Sequence, residues 1–157
     1  MRRKDREVTS PQAIREIIDA CKVFRVAFMG EDFPYVVPLN FGYIWEEGQL
    51  IFYFHCASEG RKLDLLRKNP RVAFEMDCGH HLMESDVPCG YGYRFQSVMG
   101  CGLAQEVTDV AEKKAGLSCL MAHQTGKAFS FTDQEAEQVT VCRVLVQALS
   151  AKARNSM

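Results

Sequence analysis

The sequence lacks an excess of charge of either sign. Its 19 Lys and Arg residues nearly balance its 20 Asp and Glu residues, which leaves a formal net charge of -1 over 157 residues. A protein that is held to nucleic acid by phosphate contacts needs a clear basic excess. We therefore expect no nucleic-acid partner, although a local basic pocket is compatible with this balance.

The sequence also has no apolar run that approaches ~20 residues, the length that a membrane-spanning helix requires. Its basic N-terminus is not followed by the apolar segment of a signal peptide. No internal repeat, low-complexity tract or linker interrupts it. We therefore expect one domain over residues 1–157 and no membrane partner, with a mobile arm at 1–9 and a mobile tail at 150–157.

Closely spaced cysteines are absent, although the sequence contains seven cysteines. An odd number of scattered cysteines without a Cys-x-x-Cys pair is not typical of a secreted disulfide framework. It indicates small apolar residues in a reducing compartment, and so a cytoplasmic location. One cluster resembles a metal site, but its spacing matches no standard zinc arrangement, so we expect no metal. It consists of Cys78, His80, His81 and Cys89.

The apolar pattern predicts six strands and three or so helices. The strands are predicted at 22–30, 33–43, 49–56, 71–77, 91–107 and 139–149, with a polar loop at 77–90. The helices are predicted at 10–20, at 59–68, from Asp109 to about His123, and in a short turn that begins at Thr132. Because strands and helices do not alternate regularly, a parallel sheet is disfavoured. We predict a mainly β fold, an antiparallel barrel with peripheral helices.

The segment from His55 to Lys62 carries the strongest local chemistry. A strand ends and a helix begins within it, and the first N–H groups of a helix have no intrahelical partner. Ser58 is the predicted N-cap, Gly60 permits a ligand to approach the backbone, and Arg61 and Lys62 add positive charge. These features suit a phosphate group. The alternative is an ordinary capped helix with two solvated basic residues.

A second segment places Pro38 inside a predicted strand. Proline cannot donate to a ladder and belongs at a sheet edge or a bulge. Asn40 and Gly42 share the Pro38 face, so that face is small and polar. A flat ligand could lie there and contact backbone groups. The alternative is a bulged edge strand without a ligand.

Taken in order, five segments of the sequence resemble the pyridoxamine-phosphate-oxidase-like flavoproteins. They are Arg-Arg-Lys-Asp-Arg-Glu at the start, Pro-Tyr-Val-Val-Pro-Leu-Asn-Phe-Gly-Tyr at 34–43, Phe-His-Cys-Ala-Ser-Glu-Gly-Arg-Lys-Leu-Asp at 54–64, Asn-Pro-Arg-Val-Ala-Phe-Glu at 69–75 and Ser-Val-Met-Gly-Cys-Gly at 97–102. Within that family, the sequence is most similar to the nitroimidazole-resistance (Nim-type) branch. The resemblance extends to about residue 150 and lies in the order and spacing of the segments.

This resemblance implies a split β-barrel that binds flavin mononucleotide (FMN) at the interface of a homodimer. It implies that Gly60, Arg61 and Lys62 hold the phosphate, with Ser58 nearby, which agrees with the phosphate site inferred from the residue types. Further implied contacts are Pro38, Leu39 and Asn40 along the isoalloxazine ring, His55 and Ala57 beside the cofactor, and Ser97 and Val98 from the long strand.

Several functions remain open at this point. The first is an FMN-dependent oxidoreductase that reduces a small aromatic or nitroaromatic compound, in which His55 donates a proton, orients the substrate, or only packs against the cofactor. NAD(P)H is a candidate electron donor, although no nicotinamide motif is present. The second is a flavin- or haem-binding module that stores or senses its cofactor. The third is a split barrel without flavin that acts as an adaptor.

Oxidation of pyridoxamine phosphate is the function that the resemblance favours least. The oxidases proper bring extra basic residues to the phosphate from the strand before the hairpin. This sequence has Val36 and Asn40 in that region. It also lacks a clear basic substrate motif near its C-terminus.

Overall fold

The structure, a computed structural model, describes residues 3–154. Its strands are β1 (Glu7–Val8), β2 (Val23–Phe28), β3 (Tyr35–Asn40), β4 (Gly42–Glu46), β5 (Gln49–Cys56), β6 (Arg71–Met83), β7 (Gly92–Glu106) and β8 (Thr140–Arg154). Its α-helices are α1 (Pro11–Ala20), α2 (Arg61–Lys68), α3 (Val110–Thr125) and α4 (Asp133–Glu137). No helix within the described range is long and apolar enough to cross a membrane.

All of the strands belong to one antiparallel sheet. Its order is β3-β2-β6-β7-β8-β5-β4, and β1 pairs with β8. Strands β3 and β4 are separated in sequence by Phe41 alone, yet they lie at opposite ends of this order. The sheet must therefore curl until its two ends meet. Because no ladder joins those ends in the described chain, the predicted antiparallel split barrel is confirmed.

Within residues 3–154, the sheet has eight strands rather than the six predicted. The strand predicted at 33–43 is divided at Phe41, because the chain passes there from one end of the sheet to the other. Strand β6 continues to Met83, through residues predicted to form a loop. Its ladder with β7 shifts register between Cys78 and His81, and Gly79 there has a φ of 67°. Such a bulge lets a polar segment remain in the ladder.

The chain ends are partly held in the sheet, which differs from the mobile arm and tail expected at 1–9 and 150–157. Glu7 and Val8 pair with Lys152 and Ala151, and the β7–β8 ladder runs to Arg154. The expectation for residues 1–2 and 155–157 lies outside the described residues.

The predicted hairpin between β4 and β5 is confirmed. Glu46 pairs with Gln49, and the two turn residues, Glu47 and Gly48, have φ angles of 50° and 82°. Positive φ at both positions is the geometry that matches the twist of the paired strands. This tight turn fixes the register of β5, whose far end leads into the candidate site.

Aromatic side chains fill the inner face of the curled sheet. Alternate residues of β2 and β5 point inward and are almost fully buried: Phe24, Val26, Phe28, Leu50, Phe52 and Phe54. The ring of Phe41 is also fully buried, and its centroid lies 5.0 Å from that of Phe24 and 5.4 Å from that of Phe52. The crossing between β3 and β4 is thus anchored in the core.

Helix α3 packs closely on the outer face of β4 and β5. A Cβ atom on Gly42 would lie 2.3 Å from the backbone nitrogen of Leu120. A Cβ atom on Gly116 would lie 2.7 Å from the ring of Tyr53. Glycine at these two positions lets the helix approach the strands, so α3 covers this part of the outer face.

The C-terminal end of α3 holds the crossing at Phe41. The side-chain amide of Gln124 donates to the carbonyl oxygens of Phe41, at 2.9 Å, and of Lys22, at 3.0 Å. Nε2 of His123 lies 2.8 Å from the carbonyl oxygen of Cys21. Burial lowers the pKa of His123, so a neutral imidazole protonated on Nε2 donates this bond. Gln124 and His123 therefore bond to backbone carbonyl oxygens at the split, where no strand ladder continues in the described chain.

We predict that Gln124→Ala destabilises the fold by about 1–3 kcal/mol, because it leaves the partly buried carbonyl oxygen of Phe41 without this donor. Urea denaturation measures the free energy of unfolding. Gln134→Ala, at an exposed position of α4, is the matched control and should change stability by less than about 0.5 kcal/mol. Equal effects of the two substitutions would contradict this role for Gln124.

Candidate functional site

Helix α2 begins at Arg61, after β5 and an exposed turn over residues 57–60. Gly60 is the N-cap, with a φ of 133°, and its carbonyl oxygen accepts from the Leu63 backbone nitrogen at 2.9 Å. The prediction that Ser58 caps the helix is wrong. The helix begins farther along the chain than predicted, so Ser58 lies in the exposed turn and no side chain caps α2.

The N-terminus of α2 is open to a ligand. The first N–H groups of a helix have no intrahelical acceptor and carry partial positive charge. A Cβ atom on Gly60 would meet nothing within 4 Å, so space is free above the turn. On its other side the helix buries Leu63, Leu65 and Leu66. The apolar packing therefore fixes the position at which the N–H groups are presented.

Arg61 and Lys62 leave the helix in different directions. The guanidinium carbon of Arg61 lies 4.6 Å from the centre of the Tyr35 ring, which connects α2 to the start of β3. Lys62 is half-buried, and its charge acts on the thiol of Cys56 at the end of β5. The pKa of the Cys56 thiol is lowered, first by the hydrogen bond from Cys142 and also by the charge of Lys62. Two cations therefore flank the N-terminus of α2.

Strand β3 is an edge strand, because it pairs only with β2. Along its other edge, alternate N–H and C=O groups have no strand partner in the described chain. Pro38 lies on this edge strand, opposite Arg25, as expected for a proline in a sheet. Tyr35 and Pro38 are about 10 Å apart along the strand. A ligand that starts at α2 can therefore reach the open backbone of β3.

Fewer residues of β3 offer a side chain to a ligand than predicted. The Leu39 side chain packs against the core, so only its backbone can contact a ligand. The Asn40 side chain donates to the carbonyl oxygen of Lys22 at 3.1 Å. Gly42 does not share this face, because it belongs to β4 beneath α3.

His55 lies where β5 emerges from beneath α3. Tyr53 points to the same face of β5, but it is buried, and its hydroxyl donates to Glu112 at 3.1 Å. His55 and Ala57 are exposed and lead into the turn before α2. The structure therefore places His55 close in the chain to the candidate phosphate site.

Ser97 and Val98 lie away from the other site residues within one chain. Strand β7 is separated from β3 by β2 and β6, about 14 Å along the sheet. The Val98 side chain is fully buried in the core, so the predicted contact of Val98 with the cofactor would have to be made by its backbone. Ser97 points to the outer face, where it pairs with Asp77 and Lys152.

The cysteines and histidines of the metal-like sequence cluster do not converge. His80 Nε2 lies 2.7 Å from a carboxylate oxygen of Asp77, whereas Cys89 lies in an exposed turn. Within residues 3–154, no three His, Cys, Asp or Glu side chains are grouped so that they could hold a metal ion.

The outer face of β2, β3 and β7 exposes an apolar surface that the sequence pattern did not indicate. Val36 is 56% exposed and Met99 is 50% exposed. Between them, Arg25 lies 3.0 Å from Glu75 and 2.7 Å from Asp77, so an ion-paired group separates the two apolar side chains. In β2, alternate side chains are exposed and buried, so this face of the strand is open.

Comparisons of this chain with protein families and with solved structures agree on its family. The profile of the family described as Pyridoxamine 5'-phosphate oxidase matches residues 10–153. The chain is similar to the structure of a proposed 5-nitroimidazole antibiotic resistance protein from Bacteroides thetaiotaomicron. The two are 31% identical, with a TM-score of 0.81, and the match covers 94% of this chain and 86% of that one. No curated protein sequence matches significantly.

Two further structures share the fold at lower identity. The flavocytochrome Anf3 from Azotobacter vinelandii is 22% identical, with a TM-score of 0.79, over 99% of this chain and 72% of that one. The FAD and heme binding protein from Mycobacterium smegmatis is 16% identical, with a TM-score of 0.81, over 96% of this chain and 74% of that one. At these identities the similarity concerns the fold alone.

Proposed function

Because the chain belongs to the pyridoxamine 5'-phosphate oxidase family, we propose that it is a flavoprotein that binds FMN with its phosphate at the N-terminus of α2. The observation that carries this proposal is the uncapped first turn of α2, open at Gly60 and flanked by Arg61 and Lys62. A phosphate there would accept from backbone N–H groups and pair with two cations. A protein with this fold is described as binding FAD and heme, which supports a flavin in general as the type of cofactor.

The open edge of β3 supports a place for the isoalloxazine ring. From Tyr35, which Arg61 contacts, the strand leads to Pro38, Leu39 and Asn40. The Leu39 side chain points into the core, so the contact in this proposal is made by unpaired backbone groups. His55 lies in the exposed end of β5, before the same helix.

We propose further that the protein is an oxidoreductase that reduces a small aromatic or nitroaromatic compound. The bound flavin would supply the electron transfer. The similarity to a proposed nitroimidazole resistance protein supports this substrate class. All seven cysteines are free, which supports a reducing compartment such as the cytoplasm, where NAD(P)H is available as an electron donor.

His55 is the histidine best placed to hold or donate a proton beside the cofactor. Of the four histidines, His80 and His81 lie on the β6–β7 hairpin, and His123 is half-buried against Phe41. The exposed imidazole of His55 lies at the end of β5 that leads to α2. It is therefore our candidate for proton transfer or substrate orientation.

A cofactor-storing or sensing module is the second candidate function. An exposed histidine such as His55 is also the type of residue that ligates haem iron. The shared fold of a flavocytochrome and of an FAD and heme binding protein is the observation that favours this alternative. Such a module would bind the cofactor without accelerating electron transfer to a substrate.

We propose that a second copy of the chain covers the apolar outer face. Val36 and Met99 would be buried there, and the Arg25 guanidinium between them is already paired with carboxylates of its own chain. Ser97 lies on the same face and is remote from α2 of its own chain. In a homodimer with the cofactor at its interface, Ser97 of one copy would contact the cofactor that the other copy holds.

The phosphate site predicts the effect of removing its two cations. Arg61→Ala combined with Lys62→Ala should weaken FMN binding by about 100-fold or more, since each hydrogen bond to a charged group contributes about 1.5–3 kcal/mol. Fluorescence titration of the apoprotein measures the affinity. Arg67→Ala combined with Lys68→Ala removes the same charge from the other end of α2 and should leave FMN binding almost unchanged. Wild-type protein that takes up no FMN would contradict the proposal.

The role of His55 predicts a separation of binding from turnover. His55→Ala should retain FMN but slow the anaerobic reoxidation of reduced holoprotein by a nitroaromatic about 100-fold or more, the usual contribution of a proton-transfer group. His80→Ala is the control and should reoxidise like wild type. Loss of flavin from His55→Ala would show a binding role, and a wild type no faster than free FMN would favour the storage module.

The proposed dimer predicts the effect of a charge on the outer face. Met99→Glu should convert a dimer into a monomer, because the interface would bury an unpaired carboxylate. Light scattering coupled to size-exclusion chromatography measures the mass. Phe129→Glu places the same charge on another exposed ring and should remain dimeric. A monomeric wild type, or a dimeric Met99→Glu variant, would refute this interface.

A further inference from the structure

Cys56 and Cys142 lie side by side on two neighbouring strands. In the ladder between β5 and β8, Phe54 pairs with Cys142 and Cys56 pairs with Thr140. Residues that pair across a ladder, and alternate residues along a strand, point to the same face of a sheet. Both thiols therefore point into the core from diagonal positions, where they belong to one buried cluster. Cys142 donates a hydrogen bond to the Cys56 sulfur, so the two thiols form a pair.

Cys56 is the reactive member of this pair. Its side chain is 7% exposed at the end of β5, whereas Cys142 is fully buried. The hydrogen bond from Cys142 lowers the pKa of the Cys56 thiol to about 7 against the effect of burial, and the charge of Lys62 acts in the same direction. Arg67 and Glu106 act on the thiol in opposite directions, and they are paired with each other at 2.6 Å. Because the thiolate is the nucleophilic form of cysteine, Cys56 reacts first.

We propose that Cys56 and Cys142 form a reversible disulfide bond when the protein meets hydrogen peroxide. The Cys56 thiolate attacks one oxygen of the peroxide, the O–O bond breaks, and hydroxide leaves and takes up a proton, so that Cys56 becomes a sulfenic acid. The Cys142 sulfur then attacks the Cys56 sulfur, the S–O bond breaks, and the oxygen leaves as water with the Cys142 proton. Two thiols are oxidised by two electrons and one peroxide is reduced to two waters. This inference goes beyond the proposed function and requires no bound flavin.

The end of β5 can make the small movement that this bond requires. Diagonal neighbours in an antiparallel ladder have Cα atoms ~7–8 Å apart, whereas a disulfide needs them within ~7 Å. Cys56 is the last residue of β5, and the turn over residues 57–60 that follows it is exposed. The chain can therefore shift there by ~1 Å while Cys142 stays in the β8 ladders. A disulfide that is closed in this way is strained and readily reduced again.

A second pair of thiols provides an internal comparison. Cys21, which directly follows α1, is hydrogen-bonded to Cys78 of β6. Burial raises the pKa of the Cys21 thiol to about 12, and Cys78 and two nearby carboxylates contribute to the increase. Cys21 is therefore not activated as Cys56 is, although its partner thiol is equally near. We expect this second pair to oxidise more slowly than Cys56 and Cys142.

The test is a peptide map of the full chain after treatment with hydrogen peroxide at about pH 7, where Cys56 is partly thiolate. The remaining thiols are alkylated in denaturant before digestion. Trypsin releases Cys56 in residues 26–61 and Cys142 in residues 128–143. These peptides should appear joined, lighter than their sum by the two lost hydrogen atoms, and dithiothreitol should separate them. The link should form at least about tenfold faster than any link between Cys21 and Cys78.

A substitution of the partner thiol tests the two steps separately. In Cys142→Ser, Cys56 should stop at the sulfenic acid, which dimedone traps, and no joined peptide should form. Cys119→Ser removes a half-buried thiol of α3 and should leave the joined peptides unchanged. The map of the wild type requires no variant, so it decides the question even if Cys142→Ser does not fold.

Three results would overturn the inference. The first is full alkylation of Cys56 and Cys142 in wild type that has been treated with peroxide. The second is oxidation of Cys56 to a sulfinic acid without a link to Cys142. The third is a link from Cys56 to another cysteine, such as the exposed Cys101 of a second copy.

Discussion

Phe41 joins two strands that lie at opposite ends of the same sheet, and the architecture follows from that connection. One residue spans less than about 4 Å, so the ends of β3 and β4 must meet and the sheet must curl. The curl encloses the aromatic core in which Phe41 itself is buried. Because no ladder closes the split in the described chain, Gln124 and the closely packed α3 hold its two sides together.

The split also creates the conditions for the candidate site. It leaves β3 with an open edge, whose backbone groups a ligand can reach. Helix α2 buries its leucines beneath the barrel, so its free N-terminus is held in place near the start of that edge. Arg61 contacts Tyr35 of β3 and also lines a cavity beside the loop that carries Phe33. Arg61 therefore connects the proposed phosphate position with the open edge of β3 and with this cavity.

The sequence predicted the ends of the strand and helix beside the candidate site well, because these depend on local order, and it predicted strand pairing less well. Strand β5 ends at Cys56 as predicted, and Gly60 and Arg61 begin the next helix. The burial of the Val98 side chain depends on the face that it occupies, because neighbouring residues of a strand point to opposite faces and only Ser97 of the two faces outward. The break at Phe41 could not be predicted, since an apolar residue within an alternating pattern gives no local sign that the strand changes partners.

The most direct test of the phosphate site compares FMN with riboflavin, which carries the same ring without the phosphate. If the N-terminus of α2 holds that phosphate, the apoprotein should bind FMN at least about 100-fold more tightly than riboflavin, since hydrogen bonds to charged groups contribute about 1.5–3 kcal/mol each. The difference should shrink as salt is raised, because exposed charges are screened. Equal affinities for FMN and riboflavin at low salt would contradict the site.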